Sequence, residues 1–326
     1  VTGPAIGVDV GGTKLLGVLL EPSGTILAEA RRATPTVTTE PGAAVAHEIV
    51  ALLDDLGRAS GRSLDGVALG VGVPGMLSRS GVLVFSPNLK SASGADLAGL
   101  LRPLLQGGDV VVANDADAAA IAEHRLGAAR GVDDFVMVTL GTGIGGGIVA
   151  GGHLVRGNGG FAGEIGHVVV DPSGPHCPCG KRGCWERYAS GAGVARLARE
   201  AAIGGRLRTL VAQLGDAEAV RGEDVTRAAQ HGDAEALAVL EEVGWWLALG
   251  LANLAAVLDP ACFVLGGGLS QASALLVPPT RARLAGLLEA GTLRPELPVF
   301  AAALGTHAGA VGAALLAMDG ATGGAR

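Results

Sequence analysis

The sequence predicts an α/β protein built from two related domains, and three observations carry that reading. Apolar runs of strand length alternate with longer segments of helical spacing. The pattern "IGVDVGGTKLLGVLL" that begins at Ile6 returns as "VMVTLGTGIGGGIVA" at Val136, with Gly11 over Gly141 and Gly17 over Gly147. The 326 residues include 55 glycines but only 3 % aromatics, which predicts an aliphatic core, many tight turns and backbone-lined sites. Glycine-rich hairpins recurring in a glycine-rich chain are the other explanation of the echo.

Taken in order, "AIGVDVGGTKLLGVLLEPSGTILAEARRATP" reads as three strands cut by Gly11-Gly12 and Pro22-Ser23-Gly24. Residues 42–60 have helical spacing. Residues 66–73 form a buried strand ending at Pro74-Gly75. A short hairpin around Gly81 and a helix near 95–105 come next. "DVVVAND" is a further strand, and Asp115 to Leu126 is the helix after it. From residue 135 the pattern restarts. Residues 186–202 and 223–258 are helical, "CFVLGGGLS" is a strand, a glycine turn and a helix start, and 309–318 form an apolar final helix.

Composition narrows the function classes. With 49 % hydrophobic and 17 % charged residues the chain is globular. A net charge of −7 with no basic block argues against nucleic acid as a partner. The apolar runs are short, or broken by charge and glycine, which argues against a membrane span. The first residues lack the pattern of a signal peptide, so a cytoplasmic location is expected. Four cysteines in such a chain are not a disulfide framework.

Asp9 to Lys14, "DVGGTK", sets an acid at a strand end before a glycine turn, a hydroxyl and a cation. Backbone N–H groups of Gly11, Gly12 and Thr13 in such a turn can surround phosphate oxygens, and Asp9 could hold Mg²⁺ through water. A plain hairpin turn is the alternative. Leu140 to Gly147, "LGTGIGGG", is the matching turn in the second half, offering Gly141, Thr142, Gly143 and Gly145. It has neither the ending of a P-loop nor a helix after it. Gly266, Gly267 and Gly268 leave backbone bare where a base or ribose could lie, unless they serve close packing alone. Asn114 and Asp115 end a strand, where ligands of α/β sheets bind. A carboxylate there could take a proton from a hydroxyl, and helix capping is the alternative role.

"GEIGH" supplies Glu164 and His167, and "HCPCGKRGCWE" follows with Cys177, Cys179 and Cys184. Three thiols need a fourth ligand, and Cys₃His is a standard closed zinc set. His167 is the natural fourth; His176 is a rival made awkward by sitting directly beside Cys177. The other five histidines, and Cys262 in an apolar strand, read as solvated or structural.

Together these residues resemble the ROK family of bacterial sugar kinases and repressors, most of all its zinc-containing ATP-dependent glucokinases. The resemblance runs from "DVGGTK" to the last helix, and its most specific mark is "EIGH" followed by "CPCGKRGCWE". It implies the actin-like sugar kinase fold, with two ribonuclease-H-like domains around a cleft, here 1–113 plus 308–326 and 114–307. It implies Asp115 as catalytic base, and Gly75, Asn88, Asn114, Asp115, Glu164, His167 and Glu186 as sugar contacts. Asp9 to Lys14 and Gly141 to Gly145 match its phosphate segments, and Gly266 to Gly268 its adenosine segment. His167, Cys177, Cys179 and Cys184 match its zinc ligands. The implied cofactors are ATP, Mg²⁺ and a structural Zn²⁺; the implied partners are glucose, ATP and further copies of the chain, as dimer or tetramer. Many relatives carry a tryptophan shortly after the "NL" of the sugar loop; "NLKSASGADL" has none, so the outer wall of the sugar site differs. The repressors carry a helix-turn-helix before the first strand, and only five residues precede Ile6, so no DNA-binding domain is expected.

The implied reaction is transfer of the γ-phosphoryl group of MgATP to the 6-hydroxyl of glucose. Rival readings are a kinase for fructose, mannose, N-acetylmannosamine or N-acetylglucosamine, a polyphosphate-using kinase, and a sugar-sensing regulator without turnover.

Overall fold

Buried parallel strands give each half of the protein its frame, and the computed structural model describes residues 3–36, 40–268 and 273–320. The chain gathers into two units. The first takes residues up to 133, 147–163 and those from 306 on; the second takes 134–146 and 164–305.

In the first unit β1 (Ala5–Val10), β2 (Lys14–Leu20) and β3 (Ile26–Ala33) form an antiparallel meander, with Val8 opposite Gly17. The next elements are α1 (Ala43–Ser60), β4 (Leu69–Val73), the short strands β5 (Met76–Leu77), β6 (Val82–Phe85) and β7 (Ala95–Asp96), and α2 (Leu97–Leu101). After them β8 (Val110–Asn114) leads into α3 (Asp115–Leu126). The main sheet has the order β3-β2-β1-β4-β8, with β1, β4 and β8 parallel. β4 is buried along its whole length, which is why its sequence is a continuous small-apolar run and not an alternating one. α1 covers one face with Val45, Ile49, Leu52 and Leu56, a helical stripe. β5, β6 and β7 make a separate three-stranded sheet. α2 stops at Leu101, earlier than its spacing suggests, and a 3-10 turn containing Pro103 replaces its last part.

The last helix of the chain packs on this same unit. A Cβ on Gly7 or Gly70 in the sheet would overlap the backbone oxygen of Ala310 or Ala313, and one on Gly312 would overlap that of Ala118 in α3. Backbone therefore lies against backbone at all three places. This corrects the boundary expected at 113/114: α3 belongs to the first unit because its backbone is pressed against Gly312.

The second unit begins with β9 (Phe135–Leu140), and the chain leaves it along β10 (Ile144–Ala150), whose far end pairs with β11 (His153–Leu154) in the first unit. It continues through α4 (Glu186–Ala189), α5 (Gly191–Ile203), α6 (Arg208–Leu214), α7 (Gly222–Gln230), α8 (Ala234–Leu258), β12 (Cys262–Gly266), α9 (Ser273–Leu284) and β13 (Val299–Ala301). The order β10-β9-β12-β13, with β9, β12 and β13 parallel, matches β2-β1-β4-β8 strand for strand. The echo between Ile6 and Val136 is thus a repeated topology. The final helix, α10 (Ala308–Gly320), belongs to the first unit.

Two helices expected as continuous are broken by caps. Ser190 separates α4 from α5 by accepting the Gly193 N–H on its hydroxyl. Asp233 starts α8 in the same way through Ala236, after Gly232 at φ +84°. α8 is long and apolar enough to cross a membrane by length and composition, contrary to the expectation that no run is; 56 % of that stretch is buried inside the protein, as in a core helix. Trp185 lies on Gly250 of α8, where a Cβ would overlap its ring, and its Nε1–H donates to the Trp246 carbonyl at 2.8 Å. Tyr188 stacks on Trp246 at 3.9 Å, and Trp245 meets Trp246 edge-on.

The glycine contacts are testable. Gly312→Ala should cost about 2 kcal/mol or more, because two backbones must separate. Gly57→Ala, inside α1 with the Arg62 carbonyl at 3.4 Å and the Leu64 side chain at 3.9 Å, should instead gain about 0.5–1 kcal/mol. Urea denaturation of the two variants checks both signs.

Candidate functional site

The first unit collects its candidate residues at the C-terminal ends of β1, β4 and β8, the edge where α/β sheets bind ligands. Asp9 is next to last in β1, and Gly11 closes the following turn by donating its N–H to the Lys14 carbonyl at 2.9 Å. Gly12 faces Asn88, whose carbonyl would stand 2.9 Å from a Cβ there. Gly75 has φ +114° and no room for a side chain beside Phe85 and Ser86. Its carbonyl accepts from Asn114 Nδ2 at 3.0 Å. Asn114 also caps α3, its Oδ1 taking the N–H groups of Ala116 and Asp117. Capping therefore falls to Asn114, and Asp115 follows as the first residue of the helix, with its Oδ1 accepting from Ala116 N–H at 2.9 Å.

Asp9 has a neighbour that sequence reasoning missed. Gly309, in the first turn of α10, would bring a Cβ within 2.8 Å of the Asp9 carboxyl carbon. A glycine opening an alanine-rich helix carries no motif, so no sequence signal marks it. Burial pushes the Asp9 carboxyl up to about 6, with Lys14 pulling the other way.

In the second unit Glu164 precedes a 3-10 turn, Ile165–His167, that lies on β10. Gly166 makes that approach possible, since a Cβ would overlap the Ile144 carbonyl. His167 Nε2 stands 3.8 Å from a Glu164 oxygen, and His167 Nδ1 stands 3.7 Å from Glu186 Oε1. Burial raises the Glu164 carboxyl, with His167 opposing and Glu186 reinforcing.

The ligand atoms of His167, Cys177, Cys179 and Cys184 all lie within 4.8 Å of one another. Cys177 Sγ is 3.7 Å from His167 Nδ1, and the sulfurs of Cys179 and Cys184 are 3.5 Å apart. That separation is far beyond a disulfide bond of about 2.05 Å. It is close to the roughly 3.8 Å expected between two sulfurs about 2.3 Å from one tetrahedral cation. The donor set fits a thiophilic metal ion. The rival His176 is turned to Arg182, which meets its Nε2 at 2.6 Å, so His167 is the fourth member. Burial foremost, with help from the Glu186 carboxylate, raises the Cys177 thiol, a cost that a bound cation would reverse.

The second glycine turn closes with Gly141 N–H donating to the Gly143 carbonyl at 3.0 Å, and Gly145 follows in β10. Gly267, at φ +89°, rests on the end of β9, with the Leu140 carbonyl 2.6 Å from a Cβ position. Gly266 faces Met137, while Gly268 is open. β9 and β12 run parallel, so this turn and Gly266 to Gly268 share one edge of the second sheet. Leu269 and Ser270, which continue the expected segment, lie outside the described residues. Cys262 is buried, and burial lifts its thiol to about 11. His47, His153 and His231 each bond a nearby backbone carbonyl, and His307 meets Glu29.

The glucokinase of Streptomyces coelicolor is 37 % identical over 97 % of this chain and 98 % of its own. The N-acetylmannosamine kinase of Salmonella typhi is 34 % identical over 80 % of this chain and 82 % of its own. A ROK family glucokinase from Streptomyces griseus, solved in complex with glucose and AMPPNP, superposes with a TM-score of 0.86 at 37 % identity, covering 97 % of this chain and all of that one. The fold is accordingly the actin-like fold of these sugar kinases. The model of the ROK family matches residues 5–320, from the first strand to the end of α10, and the chain belongs to that family.

Proposed function

We propose that the protein is an ATP-dependent glucokinase, transferring the γ-phosphoryl group of MgATP to the 6-hydroxyl of glucose. The observation that carries this reading is the gathering of Asp9 and its turn, Asn88, Gly75, Asn114 and Asp115 at one edge of the first sheet. Similarity to glucokinases along the whole chain supports glucose over other sugars. The second reading, an N-acetylmannosamine kinase, is favoured by relatives such as that of Salmonella typhi.

In this mechanism the sugar oxygen attacks the γ-phosphorus as the bond to ADP breaks and its electron pair leaves with ADP. Asp115 takes the hydroxyl proton as the new bond forms. The transition state is loose, so position and charge neutralisation matter most. Asn114, held by Gly75, keeps the head of α3 and hence Asp115 in place. The N–H groups of Gly12 and Thr13 and of Thr142 and Gly143 would cradle phosphate oxygens, with Lys14 as counter-charge and Asp9 as the residue that would hold Mg²⁺ through water. Gly266 to Gly268 receive the adenosine. Glu164, His167, Glu186, Asn88 and Asn114 hold sugar hydroxyls.

His167, Cys177, Cys179 and Cys184 would hold Zn²⁺, which would fix the His167 ring and take no part in the chemistry. With Nδ1 turned to the cysteines, Nε2 keeps its hydrogen for the sugar, on the side of Glu164. Four free cysteines and an ATP donor belong together in the reducing cytoplasm, which we take as the location. Homo-oligomerisation is also part of the proposal, and light scattering measures it.

An assay of the sugar phosphate formed from glucose, fructose, mannose and the two N-acetylhexosamines, with ATP or polyphosphate as donor, tests the function. Glucose with ATP should give the highest kcat/KM; preference for N-acetylmannosamine would establish the second reading, and no sugar phosphate from any sugar with either donor would leave a sensor. Asp115→Asn should lower kcat by about 10²-fold or more and leave glucose affinity nearly unchanged.

Purified protein should contain one zinc per chain, and Cys179→Ser should lose it together with most of the glucose affinity. Elemental analysis and calorimetry with glucose measure the two effects. Wild-type protein without zinc would remove the ligand assignment.

The raised Asp9 carboxyl gives a pH signature in the ligand-free protein. Its folded value lies above the ordinary 3.8, so its contribution to stability is whole below about pH 4 and lost as pH rises through about 6. Asp9→Asn cannot ionise and should therefore gain on wild type between pH 4 and 7, by about 2 kcal/mol. Denaturation midpoints of both proteins across that range are the measurement.

A further inference from the structure

We propose that Glu186 and Gly143 form a physical coupling between the sugar side and the nucleotide turn, so that each ligand's affinity depends on a residue assigned to the other. The inference rests on the reading above, in which Glu186 contacts sugar and Gly141 to Gly145 contact phosphate.

Gly143 is not a glycine for conformational reasons, since it is absent from the positive-φ positions of the chain. What excludes a side chain is Glu186, whose Oε2 lies 2.6 Å from the Cβ position. The same carboxylate presents Oε1 to Cys177 Sγ at 3.0 Å and to His167 Nδ1 at 3.7 Å. One side chain thus touches two members of the metal cluster with one oxygen and the nucleotide turn with the other.

A second link runs through the backbone. Gly191 N–H donates to the Gly141 carbonyl at 2.8 Å, and Ala192 N–H donates to the Thr142 carbonyl at 3.4 Å. These donors start α5, five and six residues after Glu186. Between them Ser190 joins the two helices, its hydroxyl donating to the Glu186 carbonyl at 2.6 Å and accepting from Gly193 N–H at 3.2 Å. Upstream, Cys184 belongs to the metal cluster and Trp185 is anchored on α8. The turn itself is glycine apart from Thr142 and Ile144, so it has little side-chain packing of its own to set its place. Residues 184–192 set it instead, and the metal cluster holds one end of that segment.

Coupling between two sites is reciprocal in binding free energy, and typical values correspond to roughly 5–150-fold in affinity. The test measures each ligand alone by titration calorimetry. Without sugar, Glu186→Ala should raise the Kd for MgADP about fivefold or more, while Glu186→Gln, which keeps the packing against Gly143, should leave it near wild type. Without nucleotide, Gly143→Ala should raise the glucose Kd by a similar factor, because the new methyl displaces the carboxylate. A residue that served only as a sugar ligand would not move MgADP binding in the absence of sugar. Either cross-effect staying within about twofold of wild type, in protein with an unchanged circular dichroism spectrum, overturns the coupling. If the variants do not fold, wild-type protein stripped of metal decides: a raised MgADP Kd supports the coupling and an unchanged one overturns it. Wild-type protein that binds neither glucose nor MgADP would refute the kinase reading itself, a distinct outcome.

Discussion

Backbone pressed directly on backbone is the constraint from which the first unit's site follows. α10 lies on Gly7 and Gly70 of the sheet, and α3 lies on Gly312 of α10. No side chain intervenes, so the helices are held at the smallest spacing the main chain allows. That spacing carries the first turn of α10 to the carboxyl of Asp9 and sets the head of α3, with Asp115, beside the end of β4. A larger residue at any of these glycines would move candidate site residues as well as weaken the core. The high glycine content is therefore a packing device here as much as a source of turns.

The second unit solves the same problem with a different anchor. Its functional segment, 164–192, is largely irregular, and irregular backbone needs fixed points. Trp185 on Gly250 is one, the four-ligand cluster is another, and the Ser190 cap is a third. His167 belongs to the cluster, Glu164 stands three residues before it and Glu186 lies between Trp185 and the Ser190 cap, so a candidate metal site sits beside substrate-binding candidates.

Much of this was legible in the sequence where local chemistry is strong. The paired hairpins at Gly11 and Gly141, the cysteine cluster, and the Asn114–Asp115 strand end announce themselves by residue type and spacing. What escaped was set by tertiary contact or hidden by breakers. A helix start was expected after Gly268, but the extent of α9 was not, because Pro278 and Pro279 mask its helical pattern. β13 is three residues long and has too little sequence to show a period. The breaks at Ser190 and Asp233 depend on single caps inside otherwise helical stretches. The place of α3 was missed because Ala118 meets Gly312 nearly two hundred residues later, and Gly309 because nothing local ties it to Asp9.

The scarcity of aromatic residues has a further consequence through where they lie. All three tryptophans and the single tyrosine, Trp185, Tyr188, Trp245 and Trp246, fall in the second unit, around the segment that links the metal cluster to α8. The first unit contains none of them. Intrinsic ultraviolet emission of the unlabelled protein is thus a regional signal, sensitive to the setting of Trp185 and blind to the glycine-packed half. Emission will then follow the second unit while backbone probes follow both, and any interval between their transitions measures how independently the two units yield.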